Sequence, residues 1–88
     1  MNVRYEVIYH SNVQSKDIPE LAPPTRERIR TAIEMKLFTA PEQFGEPLRR
    51  TLKGYWKLRV GDYRVIYKVK GKTVLILRIG HRSEIYKK

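Results

Sequence analysis

No cysteine occurs in the chain. This removes disulfide frameworks, thiolate zinc sites and cysteine nucleophiles together, and it suits a cytoplasmic protein. Long apolar runs are missing too. The longest wholly aliphatic stretch is "VLIL" at 74–77, far short of the roughly 20 residues that cross a bilayer. The opening "MNVRYEVIYH" lacks the uninterrupted apolar segment of a secretory signal, so neither export by that route nor a place in the membrane is expected. Acidic residues are scarce: 9 Asp and Glu stand against 19 Lys and Arg, a net charge of +10. A surplus of this size attracts polyanions, whether nucleic acid, an anionic membrane face or an acidic protein.

What is present suffices for one core. A chain of 88 residues buries only about 60 to 65% of its extended surface and cannot support two cores, so residues 1–88 are expected to form a single domain. The hydrophobic fraction of 41%, with six Tyr, two Phe and one Trp, argues against intrinsic disorder despite the charge.

Residues 2–9 alternate, with Val3, Tyr5, Val7 and Tyr9 on one side, and predict a strand. His10, Ser11 and Asn12 break the alternation and offer helix caps, His10 being read as structural. Val13, Asp17 and Leu21 then lie at helical spacing in a segment that Pro19 keeps short or irregular. A second helix starts at Pro24 or Thr25, carries the apolar stripe Ile29, Ala32, Ile33 and Leu37, and stops at Thr39-Ala40-Pro41. Residues 41–54 hold Gly45, Pro47 and Gly54 without clear periodicity and read as a loop, with a short edge strand at 49–52.

The stretch "YWKLRVGDYRVIYKV" at 55–69 is the most informative. Gly61-Asp62 between two alternating runs predicts a two-residue hairpin turn in which Gly supplies a positive φ. The turn sets the register: Val60 opposite Tyr63, Arg59 opposite Arg64, Lys57 opposite Ile66. One face then collects Trp56, Leu58, Val60, Tyr63, Val65, Tyr67 and Val69, and the other Tyr55, Lys57, Arg59, Arg64, Ile66 and Lys68. After a turn at Lys70-Gly71-Lys72, residues 73–80 are apolar on both faces and predict an interior strand. With Leu75, Leu77 and Ile79 in the core, Arg78 joins the cationic face.

Like charges directly opposite each other on adjacent strands are destabilising, so the Arg59 and Arg64 pair invites a compensating anion. Guanidinium forks hold phosphate through paired, charge-assisted hydrogen bonds; the alternative is that both side chains splay into solvent, where screening weakens the repulsion. Tyr55 and Tyr86 offer flat surfaces for base stacking, a contact of about 1 to 3 kcal/mol per base in single-strand binders. The ending "GHRSEIY" places a histidine, an arginine and a tyrosine close together, a plausible acid-base set.

The run "LKGYWKLRVGDYRVIYKV", followed after a short hairpin by "IGHRSEIYK", resembles the RelE/ParE toxin superfamily of type II toxin-antitoxin systems. The preceding strand, two helices and "APEQFGEPL" loop are similar to it as well. The resemblance implies an α/β fold of the α+β type, in the order β-α-α-β-β-β, with two N-terminal helices packed on one face of a twisted, mainly antiparallel four-stranded sheet. It implies a cognate antitoxin as partner. For the RelE-like branch it also implies metal-independent and cofactor-independent mRNA cleavage in the ribosomal A site, the ribose 2′-OH attacking the adjacent phosphate. By motif, Lys57 is the lysine of the strand before the hairpin, credible as base beside other cations. Arg64 is the arginine that contacts the scissile phosphate, Arg82 stabilises the transition state, and Tyr86 stacks on a base or aids proton transfer. Arg59, Lys68, Arg78 and Tyr55 complete the expected phosphate-binding and RNA-binding set. The sequence departs from the RelE pattern at Tyr55, where a cation would fall, and in passing directly from Arg82 to Ser83 without a longer basic insert. His81 then becomes an alternative base, since an imidazole suits proton transfer near neutrality. On the same fold, a ParE-like member would inhibit DNA gyrase without cleaving anything, and a catalytically weak member would act through antitoxin binding alone.

Overall fold

The computed structural model describes residues 4–48 and 54–85. Strand β1 (Glu6–Tyr9) leads into α1 (Val13–Asp17), a short segment wound as a π-helix, in which the Ile18 N–H reaches back to the Val13 carbonyl at 2.9 Å. Helix α2 (Pro23–Ala32) begins on two prolines, whose fixed φ suits a first turn, and continues as a π-helical stretch over Ile33–Leu37. A short helix α3 (Pro41–Phe44) and a two-residue strand β2 (Glu46–Pro47) follow, then β3 (Tyr55–Val60), β4 (Tyr63–Lys70) and β5 (Thr73–His81). The sheet order is β1-β5-β4-β3-β2, with β1 parallel to β5 and every other pairing antiparallel.

The α+β class and the mainly antiparallel sheet match expectation, but among the described residues the sheet has five strands where four are predicted. The fifth is β2, in a segment that reads as loop because two residues carry no periodicity. The short edge strand expected at 49–52 lies outside the described residues. The hairpin register is as predicted, Val60 with Tyr63, Arg59 with Arg64 and Lys57 with Ile66, and Gly61 has φ +60°.

One face of the sheet carries the core. Leu58, Val60, Val65, Tyr67, Val74, Ile76 and Ile79 pack against Val13, Leu21, Ile29, Ile33 and Leu37 from the helical layer. On β5 the buried residues are Val74, Ile76 and Ile79, not Leu75 and Leu77. The register slips between Ile66 and Tyr67, which pair with Arg78 and Ile76, leaving Leu77 as an extra residue in a β-bulge. One extra residue reverses the alternation. Ile79 therefore returns to the core, as expected, and Arg78 points to the other face. Strand β1 ends opposite Ile76, and the Asp17 carboxylate takes over beyond it, accepting the Ile79 N–H at 2.9 Å. Among the described residues no helix is long and apolar enough to cross a membrane.

Candidate nucleic-acid interface

The face of the sheet opposite the helices is set by register into cross-strand rows. Leu75, Lys68 and Tyr55 form the first, and Arg78, Ile66, Lys57 and Glu46 the second. Gly80, Arg64 and Arg59 form the third. Lys57, Arg59, Arg64, Lys68, Arg78 and Tyr55 thus lie together on one surface.

Within that surface Arg64 differs from the rest, being only 8% exposed. Its Nη1 donates to the Gly61 carbonyl at 3.0 Å and to its neighbour Tyr63's carbonyl at 2.9 Å, which folds the side chain back under the hairpin turn. Among the described residues no carboxylate stands within ion-pair distance of it, and Nε and Nη2 make no hydrogen bond. No fully buried side-chain polar atom there lacks a partner, so these two nitrogens keep access to solvent. A guanidinium has five N–H donors in a fixed fork, and the outward edge of this fork is left for a ligand. The space beside it depends on Gly80, the glycine opposite Arg64. Ile85, buried to 4% exposure, packs there, and a Cβ at Gly80 would stand 3.2 Å from its Cδ1. The Ile85 carbonyl accepts from Arg78 Nη1 at 3.0 Å, so the C-terminal turn closes over this end of the basic face.

Sequence reasoning missed Glu46. Strand β2 pairs it with Lys57, and its Oε1 sits 3.8 Å from Lys57 Nζ and 3.9 Å from Arg59 Nε. The carboxylate therefore lies among the cations of the bare face. Nothing in the local sequence signals this placement, which depends on the pairing of two residues. Along the first row Lys68 Nζ lies 5.2 Å from the centre of the Tyr55 ring, a cation–π contact that holds the ring in the same surface.

His81 and Arg82 are placed differently. His81 pairs with Tyr63 and shares its face, with the two rings edge to face at 5.3 Å, on the helix side of the sheet and away from Lys57. Its Nδ1 accepts the Ser83 N–H at 3.1 Å and lies 2.8 Å from Ser83 Oγ, while its carbonyl accepts the N–H groups of Glu84 and Ile85. His10 does the same after β1: Nδ1 accepts the Asn12 N–H at 3.1 Å, and the carbonyl accepts Val13 and Gln14. Both imidazoles thus act as N-terminal caps of a helical turn that leaves a strand. Arg82 stands beside the hairpin turn, its N–H donating to the Asp62 carbonyl at 2.8 Å and its Nε 3.9 Å from the Asp62 carboxylate. Tyr86 lies outside the described residues. Two phenols have raised pKa values, Tyr67 through burial with Glu42 adding to it, and Tyr9 through burial and then Glu34. Both belong to the core side of the sheet.

Known proteins share this fold. Residues 5–86 match the family described as ParE toxin of type II toxin-antitoxin system. Two curated proteins of Mycobacterium tuberculosis (strain ATCC 25618 / H37Rv) are similar in part. Toxin RelG is 44% identical over 50 residues, covering 54% of this chain and 58% of the relative. Toxin RelE is 40% identical over 53 residues, covering 58% and 55%. The chain thus spans little more than half the length of these curated relatives. Among solved structures, a chain of the toxin-antitoxin complex RelBE2 from Mycobacterium tuberculosis superposes with a TM-score of 0.82 at 32% identity, covering 93% of this chain and 95% of the other.

Proposed function

Because the chain belongs to the RelE/ParE toxin superfamily of type II toxin-antitoxin systems, we propose that it is a toxin of the mRNA-cleaving kind, acting on the ribosome through the bare basic face of its sheet. The observation that carries the reading is Arg64: a nearly buried guanidinium bonded only to carbonyls, with its outer donors unspent and no carboxylate beside it among the described residues. Holding a cation out of water without a counter-charge is costly, and a phosphate on that fork supplies the missing charge with strong, directional hydrogen bonds.

In the reaction proposed, the ribose 2′-oxygen attacks the adjacent phosphorus as its proton passes to a base. The bond to the 5′-oxygen of the next nucleotide breaks, and that oxygen takes a proton. A 2′,3′-cyclic phosphate and a 5′-OH result. Glu46 suits the base better than Lys57, because a carboxylate carries free lone pairs and an ammonium has no acceptor. It also suits it better than His81, whose Nδ1 already accepts from Ser83. Lys57 and Arg59 flank Glu46 and face the charge that develops on the phosphorane. Arg82 and Tyr86 keep the roles that the resemblance implies, transition-state stabilisation and base stacking or proton transfer. Tyr55, Lys68 and Arg78 extend the RNA-contacting surface. The partner proposed is an antitoxin of acidic or amphipathic character that covers this face.

Primer-extension mapping of an mRNA incubated with the protein, with and without programmed ribosomes, tests the reading. Discrete cuts are expected, lost in Arg64→Ala and in Glu46→Gln, and absent when the nucleotide 5′ of the cut carries 2′-deoxyribose. Cleavage of the deoxy substrate at an equal rate would exclude the mechanism. A second reading is favoured by the family description, which names a ParE toxin: inhibition of DNA gyrase without cleavage. Intact mRNA together with inhibited supercoiling would select it.

A further inference from the structure

The hairpin turn Gly61-Asp62 is approached by arginines from three directions. Arg64 bonds the Gly61 carbonyl from the bare face. At the end of β5 the Arg82 backbone N–H donates to the Asp62 carbonyl, and its guanidinium stands 3.9 Å from the Asp62 carboxylate. The third is Arg28 of α2, on the helix side: a Cβ placed at Gly61 would lie 2.9 Å from its Nη1 and 3.1 Å from its Cζ. A guanidinium therefore lies flat over the turn, in space that exists because residue 61 has no side chain. The positive φ that the turn needs and the room that Arg28 needs are met by the same glycine.

Arg28 also differs from its neighbours on the helix. Arg26 donates to the Leu21 carbonyl, and Arg30 pairs with Glu27 and Glu34. Among the described residues Arg28 has no hydrogen bond or ion pair, and it is exposed. Three guanidiniums thus gather at a turn that is itself exposed, and its one carboxylate, Asp62, lies within ion-pair distance of Arg82 alone among them. We infer that Arg28 and Arg82 carry the phosphate-binding track of the bare face around the hairpin tip onto the helical layer, so that a bound RNA strand runs over the turn and meets Arg28 with a phosphate beyond the one held by Arg64. The inference rests on the RNA-binding reading above and extends it to a residue outside the sheet. An acidic protein segment could meet the same charge, but the continuity of Arg28 with Arg64 through one turn favours the ligand that Arg64 binds.

Salt dependence counts such contacts, since each phosphate neutralised on a single strand contributes about 0.7 to the log–log slope of affinity against salt. Fluorescence anisotropy of a labelled oligoribonucleotide is measured across a salt series for the wild type, Arg28→Ala, Arg28→Lys, Arg30→Ala and Arg64→Ala. Arg28→Ala is expected to weaken binding several-fold at low salt and to flatten the slope by about 0.7. Arg28→Lys should restore the slope, because it keeps the charge, and Arg30→Ala should match the wild type. If the wild type and Arg64→Ala differ while Arg28→Ala behaves as Arg30→Ala does, the track over the tip is wrong and the sheet-face site stands. Loss of affinity in Arg28→Ala with an unchanged slope would also overturn it, as would an effect confined to antitoxin binding. A wild type without salt-dependent RNA binding would overturn the RNA reading itself, and the track with it.

Discussion

At the scale of single residues, packing and chemistry meet at Tyr67. Its hydroxyl donates to the Pro41 carbonyl at 2.6 Å, joining the centre of the sheet to the first residue of α3. Gly45 leaves room for this: a Cβ there would run into the phenol, with the ring Cζ only 2.8 Å away and the Lys57 carbonyl at 3.1 Å. Gly45→Ala is therefore expected to destabilise the fold by about 1 to 3 kcal/mol, the usual cost of overpacking, and to disturb the adjoining Glu46. A thermal melt alongside the cleavage assay checks both, and an unchanged melting temperature would contradict the packing. The same phenol gives a pH dependence. Burial raises Tyr67 above the ordinary value of 10.0, so the unfolded chain loses this proton first. Stability is then complete below pH 10 and falls as pH rises beyond it. Denaturant titrations at neutral pH and on the alkaline side should show the fall, and Tyr67→Phe should reduce its steepness. None of this is legible in the chain itself. Gly45 and Glu46 sit in a stretch without periodicity, and their importance comes from a tyrosine and a lysine far along the sequence.

Among elements, the hairpin was the most legible, because a turn of fixed length dictates every pairing on either side of it. The cationic face followed from that register alone. Strand β5 was less so. With apolar residues on both faces its parity is ambiguous, and the bulge at Leu77 moved the buried positions to Val74 and Ile76. The two histidines gave no distinguishing signal either, although each caps the turn after a strand. That role separates positioning from proton transfer. Asn at 81 can offer its side-chain oxygen to the Ser83 N–H as a cap, so His81→Asn should keep the C-terminal turn, Ile85 over Gly80 and most of the cleavage rate, whereas His81→Ala should lose them. Equal inactivation by both changes would mean that the imidazole itself handles a proton.

For the whole molecule, the charge of +10 should produce opposite responses to salt. Screening relieves self-repulsion, so the free protein is expected to melt at higher temperature as NaCl rises, while RNA affinity falls with a log–log slope near −3 if about four phosphates are contacted. An oligoribonucleotide at about 100 times its Kd should add about 2.7 kcal/mol of stability. Calorimetric scans with and without the oligonucleotide, repeated in Arg64→Ala, measure the gain and its dependence on the site. A shift of the same size in that variant would place the binding elsewhere. The overall layout also orders events in time. Strand β1 is made first, yet its partner is β5, the last strand. While the chain is being translated, residues 6–9 must wait until residues 73–76 have cleared the exit tunnel, and Gly80 joins Arg64 still later. A nascent copy therefore lacks a finished basic face until β5 has been made and paired, so any ligand of that face meets only the completed fold.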